Sequence, residues 1–330
     1  MSKSIIPVFF NTDNNYAVPT YITMFSMLHN YTGSSDIHAY ILTGEDFSEK
    51  NILLLKSLSK RFDNFKIKII NVKSAYNDVA IHLKHLSKAA LYRLMIPGIA
   101  DSLTDNQIDT CIYLDSDLVV EGDISELFNL DINGYYIAGV PDSVQYWDTT
   151  HKDKIGIPSM DRYINSGVLL FNLNEINNSK GLKELLEKTG YRNDFPFTDQ
   201  DAINIVLYNR IKLLPLKYNV LAKNFFSLDV GFYNLYGEKN ILEAREDPFI
   251  LHYITDMKPW RYRDSVMSEK WWKYVKMQDK NIYCEYIRPF LKTHRPPFIE
   301  WVKDRVRYFL KRHGMYKTIK SLKDYVEGGK

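Results

Sequence analysis

The first 72 residues alternate short apolar runs with amphipathic stretches, an order that restricts the fold more than any other feature of the chain. Ile5–Phe10 reads as a strand. Val18–Asn30 reads as a helix with Pro19 in its first turn, where a missing backbone N–H does no harm. Asp36–Leu42 alternates as a second strand, and Ser48 suits the N-cap of a helix reaching Arg61, with Ile52, Leu55 and Leu58 at helical spacing. Phe65–Val72 is a third strand. Such a strand–helix–strand–helix–strand order calls for a parallel sheet covered on both faces.

The pattern continues less regularly. Leu86–Met95 reads as a helix ending before Pro97-Gly98, and Thr110–Leu114, Tyr135–Val140, Tyr163–Phe171 and Phe249–Tyr253 read as strands. Asn174–Thr189 carries Ile176, Leu182, Leu185 and Leu186 as one helix stopped by Gly190. Thr198 is placed to cap a helix running to Tyr208, with Asp199 and Asp201 in its first turn, where acidic groups suit the positive helix end. Pro289, Pro296 and Pro297 cluster after Tyr286, so the expected division is a catalytic domain over 1–286 and a helical extension over 287–330.

Composition narrows the class. The chain is 45% hydrophobic and 25% charged, as an ordinary globular protein is. Cys111 and Cys284 are its two cysteines, too few for a disulfide framework or a four-ligand zinc site. The first apolar run is too short for a signal peptide, and no run approaches the roughly 20 residues of a spanning helix. The expected location is the cytoplasm, peripheral on the inner face of the plasma membrane. The net charge of +3 hides an asymmetry: from Arg288 onward twelve Lys/Arg face four Asp/Glu, a local +8, leaving −5 on the preceding residues. In Glu300–Arg312, Val302, Val306, Phe309 and Leu310 share one face with basic residues around the rest, and Tyr316, Ile319 and Leu322 extend the pattern. A basic amphipathic helix suits an anionic lipid surface, and an acidic body does not suit nucleic acid. The plain alternative is a helix docked on the main domain with a solvated basic face.

Asp115-Ser116-Asp117 ends the apolar run Cys111–Leu114. Two carboxylates two residues apart at a strand tip can face one hard divalent cation, and strand tips of open α/β sheets are where ligands bind. The chain contains no GxG, so neither a dinucleotide fingerprint nor a P-loop is available to hold phosphates. A solvated turn is the plain alternative.

Six motifs follow one another in order. They are Asn11–Ala17, Tyr92-Arg93-Leu94, Tyr113–Asp117, Asn165–Asn172, Asp199-Gln200-Asp201, and His252-Tyr253 with Lys258-Pro259-Trp260. In this set, from Ile5 to Trp260, the chain resembles glycosyltransferase family eight. That family comprises retaining transferases of the GT-A fold, among them lipopolysaccharide galactosyl- and glucosyltransferases and glycogenin. The resemblance implies a Rossmann-like mixed central sheet flanked by helices. It implies a UDP-hexose donor, UDP-galactose or UDP-glucose, with Asp13 and Asn15 on uridine and ribose. Asp115, Asp117 and His252 would hold Mn²⁺, with Mg²⁺ as the other choice, and Ser116 would lie beside the bound nucleotide. Lys258 would meet the departing phosphate. Arg93, Asp142, Asn165, Asp199 and Gln200 would surround the donor sugar, with His85 bordering the pocket. One departure stands out: where the family usually has Gly three residues after the histidine, this chain has Thr255-Asp256.

The implied reaction is hexose transfer to a hydroxyl of a cell-surface glycan or glycolipid, with retention. Asp199 and Gln200 are the candidate nucleophiles for a double displacement, and Gln is a poor one, so front-face attack is the expectation. Three alternatives stand beside it: a protein acceptor, a non-catalytic sugar-nucleotide or glycan binder of the same fold, and a nucleotidyltransferase. The last lacks the Gly-rich basic N-terminal loop it needs, since Asn11–Ala17 occupies that place.

Overall fold

A computed structural model describes residues 4–72, 88–103, 107–190, 192, 194–222 and 230–312. His85 and the extension through Tyr316, Ile319 and Leu322 lie outside the described residues. Among the described residues ten strands form two sheets. Seven of them, β1 (Ile5–Asn11), β2 (Asp36–Thr43), β3 (Phe65–Asn71), β4 (Thr110–Leu114), β6 (Ile137–Pro141), β7 (Ile164–Asn172) and β8 (Ile211–Leu213), make a sheet of order β3-β2-β1-β4-β7-β6-β8. β5 (Leu118–Val120), β9 (Val220–Leu221) and β10 (Ile250–His252) make a smaller one of order β5-β10-β9.

The N-terminal half has the parallel character that the sequence predicts: β1 pairs in parallel with β2 and β4, and β2 with β3. The other half departs from it. β7 runs antiparallel to both β4 and β6, so the central sheet is mixed. Period-two alternation then divides the core. Val8, Phe10, Ile112, Leu114, Val168 and Leu170 face the helix Ala17–Asn30, which buries Tyr21, Ile22 and Phe25 against them. Phe9, Cys111, Tyr113, Leu169 and Phe171 join Leu94 and Ile203 on the opposite face. All nine residues of β7 are buried, as befits a strand covered on both sides.

Several local expectations need correction. Pro97 opens a helix, Ile96–Ser102, instead of following one, because its fixed φ and missing N–H suit a first turn; Lys88–Met95 before it is 3₁₀. The single helix expected over Asn174–Thr189 is two, Leu173–Asn177 and Leu182–Gly190, interrupted at Gly181 with φ of +74°. The Asn172 side chain caps the first by accepting from Glu175 N. Thr198 is the first helical residue of Thr198–Val206 and not its cap. The helix start is instead held by Asp201, whose carboxylate accepts from Phe197 N at 2.8 Å.

Ser268–Lys276 places Trp271, Tyr274 and Val275 in the core, and Ile287 and Phe290 join them from the helical run that follows. The last described helix, Phe298–Arg312, meets the body through its polar side: Glu300 pairs with Arg261 at 2.8 Å, Asp304 accepts from Tyr262, and Arg305 pairs with Asp264. Phe298, Ile299 and Val306 on it face out, 77%, 68% and 53% exposed.

Candidate active site

The strand directions bring the motif residues together. β1 and β4 are parallel and end at the same edge, which places Asn11–Asp13 near Asp115–Asp117. Because β7 is antiparallel, its first residues Asn165-Ser166-Gly167 start at that edge, and Asp115 N donates to Gly167 O at 2.8 Å. Asp142 follows directly on β6. In the small sheet His252 lies opposite Leu118, one residue beyond Asp117. One edge therefore collects Asn11–Asp13, Asp115–Asp117, Asp142, Asn165–Gly167 and His252.

Alternation separates the three residues of Asp115-Ser116-Asp117. Ser116 turns back into the fold, where its hydroxyl donates to Asn11 O at 2.6 Å and accepts from Thr20 Oγ1 at 2.9 Å. Asp115 and Asp117 point the other way, toward His252, whose Nε2 lies 3.7 Å from Asp115 Oδ2 and 3.3 Å from Asp117 Oδ1. One ligand atom from each of the three falls within 4.8 Å of the others. Two carboxylate oxygens and an imidazole nitrogen, with no thiolate, fit a hard divalent cation of the Mn²⁺ or Mg²⁺ type. Lys258 is buried beside them, donating to Asp117 Oδ2 and to Tyr253 O.

Arg93 is buried and ties the two halves of the site together. Its guanidinium reaches Asp115 Oδ1 at 2.9 Å and Asp199 Oδ2 at 3.1 Å, donates to Ser166 O at 2.7 Å, and lies over the Tyr113 ring. On the far side Gln200 is held by four groups. Its Oε1 accepts from Ser166 N at 3.0 Å and Asn165 Nδ2 at 3.2 Å, while Nε2 donates to Asp142 Oδ2 at 3.3 Å and Tyr163 Oη at 3.1 Å. Asp142 also accepts from Asn165 Nδ2 at 2.8 Å and from Val144 N at 2.7 Å. Beneath Gln200, Asp201 accepts from Tyr163 Oη at 2.5 Å and lies 2.7 Å from His151 Nε2, so the helix start is braced by a buried polar group. Asp13 Oδ1 accepts from Asn15 N at 2.9 Å and Tyr16 N at 3.0 Å, which makes the segment after β1 an Asx turn.

The charges set one another's protonation. Burial alone would raise the Asp117 carboxyl, but Lys258 and His252 outweigh it and hold that carboxyl well below its usual range. Burial would lower Lys258, and Asp117 more than offsets it. Burial likewise opposes the Arg93 charge, and Asp115 and Asp199 overcome it. Asp199 goes the other way: burial raises its carboxyl, and Arg93 only partly compensates.

Three contributors escaped the sequence reading. Tyr113 donates to Asp115 Oδ1 at 2.5 Å and to Asn11 Oδ1; its place two residues before Asp115, on the same strand face, was the available signal. Tyr163 and Asn219 belong to no motif. The space beside Gly167 is filled by the protein. A Cβ there would overlap His252 Cε1 and come within 2.8 Å of His252 Nδ1 and 2.9 Å of Asp115 Oδ2. Thr255, the departure noted above, has φ of +71°, a left-handed conformation that favours glycine and strains a β-branched residue.

Two consequences are measurable. Gly167→Ala should displace the His252 ring and cost about 1–3 kcal/mol of stability, read by thermal denaturation. Unchanged stability would show that the ring moves aside freely. Asp117→Asn should destabilise the metal-free protein at neutral pH by about 3 kcal/mol, because Lys258 is left buried without its carboxylate. A depressed carboxyl contributes stability above its unfolded value of about 4 and loses it as pH falls toward the lower folded value. The gap between wild type and variant should therefore narrow as pH drops below about 4, and chemical denaturation at both pH values checks it.

Comparison with known proteins matches residues 7–264 to Glycosyl transferase family 8. General stress protein A of Bacillus subtilis is 29% identical over 76% of this chain and 88% of its own length. Lipopolysaccharide 1,2-glucosyltransferase of Escherichia coli K12 is 30% identical over 57% of this chain and 53% of its own. The chain spans 61% of the length of two pneumococcal glycosyltransferase relatives, GlyB and GlyF. The solved structure of galactosyltransferase LgtC with donor and acceptor sugar analogs superposes with a TM-score of 0.67, at 20% identity, over 84% of this chain and 99% of that one. At that identity the likeness establishes the architecture, which is GT-A. Because the family match spans both sheets and encloses Asp115, Asp117, His252 and Lys258, the chain belongs to glycosyl transferase family 8 and is a glycosyltransferase.

Proposed function

We propose that this glycosyltransferase moves a hexose from UDP-galactose or UDP-glucose to a hydroxyl of a cell-surface glycan or glycolipid, with retention at the anomeric carbon. The observation that carries the reading is the meeting of Asp115, Asp117 and His252 beside buried Lys258 at the strand edge. Asp115, Asp117 and His252 would hold Mn²⁺ or Mg²⁺. Bound there, the cation supplies positive charge that offsets the donor diphosphate. Lys258 stays protonated next to Asp117 and adds a second positive charge for the departing phosphate. Asp13 and Asn15, at the end of β1, would meet uridine and ribose, and Arg93, Asp142, Asn165, Asp199 and Gln200 would line the sugar. Ser116 supports this site from below, through Asn11 and Thr20.

Retention is read as front-face attack. Asp199 Oδ2 is engaged by Arg93 and Ser166, and both ends of the Gln200 amide are hydrogen-bonded, so neither is poised as a nucleophile. In this reading the leaving phosphate takes the acceptor proton. Purified protein with Mn²⁺ should release UDP slowly from one UDP-hexose of a panel, and EDTA or Asp117→Ala should abolish the release. Intact mass should show no hexosyl adduct at any time. No release and no UDP binding by calorimetry would sink the donor assignment, and an adduct on Asp199 would sink front-face attack.

The extension over 287–330 is assigned to an anionic membrane surface, which would bring the site to a lipid-linked acceptor and hold the protein on the cytoplasmic side. No described helix is long and apolar enough to cross a membrane. What supports surface binding is the outward turn of Phe298, Ile299 and Val306 on a basic segment. Ile287 and Phe290 are core residues, so the clean truncation ends at Pro297. Full-length protein should sediment with vesicles rich in anionic lipid, and the truncated form should stay in the supernatant with its activity on a soluble acceptor intact. Equal sedimentation of both forms would refute the assignment.

A further inference from the structure

A chain of side-chain amides runs beneath the site from Asp142 to His252, and each link has a determined direction. Gly167 N donates to Asn165 Oδ1 at 2.9 Å, and a backbone N–H can only donate. Asn165 therefore presents Nδ2 to Asp142 Oδ2 at 2.8 Å, where a carboxylate accepts. The same Asn165 Oδ1 lies 2.8 Å from Asn219, which must offer Nδ2 there. That orients Asn219 Oδ1 toward His252 Nδ1 at 3.0 Å. An amide oxygen can only accept, so Nδ1 must carry the proton. Nε2 is left facing Asp115 and Asp117.

From this geometry we propose that Asn219 is a positioning residue, which fixes the His252 tautomer and ring angle so that Nε2 is the nitrogen offered to a divalent cation. Asn219 is fully buried at the end of a 3₁₀ turn, Leu216–Asn219, immediately before β9, whose Leu221 pairs with His252. Its backbone position is thus set by the same small sheet that carries the ring it orients. Both ends of the relay resist inversion, because Gly167 N cannot accept and the Asp142 carboxylate cannot donate a hydrogen bond. Flipping Asn219 would set its Nδ2 against Nδ1–H and its Oδ1 against Asn165 Oδ1, two repulsive contacts in a buried place. Outer partners of this kind commonly govern metal affinity by 10–100-fold.

The inference rests on the proposed cation site, and two readouts separate them. The first needs neither metal nor variant. Long-range ¹H–¹⁵N correlation spectra of the metal-free protein, at alkaline pH where imidazole is neutral, should show His252 protonated at Nδ1. Protonation at Nε2 would overturn the inference. The second is Mn²⁺ affinity, measured by electron paramagnetic resonance. Asn219→Ala should weaken it by about 10–100-fold, with the thermal midpoint as a folding control. Asn219→Asp keeps an acceptor for Nδ1–H but sets its second oxygen against Asn165 Oδ1, so it should lower the thermal midpoint while retaining affinity close to wild type. If Asn219→Asp loses as much as Asn219→Ala, the residue serves only to hold Asn165 and the positioning role is wrong. Equal Mn²⁺ affinity in wild type and Asn219→Ala also refutes it. Wild-type protein that binds no Mn²⁺ while showing the expected tautomer would overturn the cation assignment and leave the Asn219 orientation standing.

Discussion

Three largely buried carboxylates, Asp115, Asp117 and Asp199, gather at one edge of the sheet, and their repulsion is the constraint that the surrounding structure answers. Charges in a low-dielectric place are costly unless paired. Arg93 bridges Asp115 and Asp199, Lys258 takes Asp117, and His252 faces both members of the acidic pair. Burial and pairing oppose one another at Asp117 and at Asp199, and pairing prevails at the first but not at the second. Two cations of the protein itself, Arg93 and Lys258, are folded among these acids and offset their repulsion.

The antiparallel β7 is what makes this assembly fit. A parallel strand in its place would send Asn165-Ser166-Gly167 to the opposite edge, some 20 Å or more away for a strand of this length. Running the other way, it lays those residues against Asp115 and supplies Ser166 O and Oγ to Arg93. The small sheet then brings His252 in from the far end of the sequence, and Gly167 makes room for its ring. The halves that would take cation and sugar therefore share a floor, the polar relay from Asp142 and Gln200 through Asn165.

Much of this was readable in advance. Strands buried on both faces are near-continuous apolar runs, so β1, β4 and β7 stand out to within a residue or so. The acidic motif after β4 and the residues that meet it lie in compact, ordered motifs. Breaks within elements were less legible. Gly181 interrupts a stretch whose apolar spacing continues through it, and Pro97 opens a helix where its usual reading is a stop. The outward turn of Phe298, Ile299 and Val306 was also hidden, since periodicity identifies an amphipathic face without saying which side meets the body.

Local order in the chain was enough to determine the α/β class, the edge where the acids gather and the residue types able to hold a cation. Period and composition are properties of neighbouring residues, which is why they can be read without the fold. The tertiary structure alone decided that Ser116 braces the floor while its neighbours face the site, that Gly167 makes room for His252 and not for a ligand, and that Asn219 orients the imidazole. Each of those is a contact between segments dozens of residues apart, set by strand direction and by the hydrogen-bond polarity of buried amides, and no spacing rule along the chain encodes either.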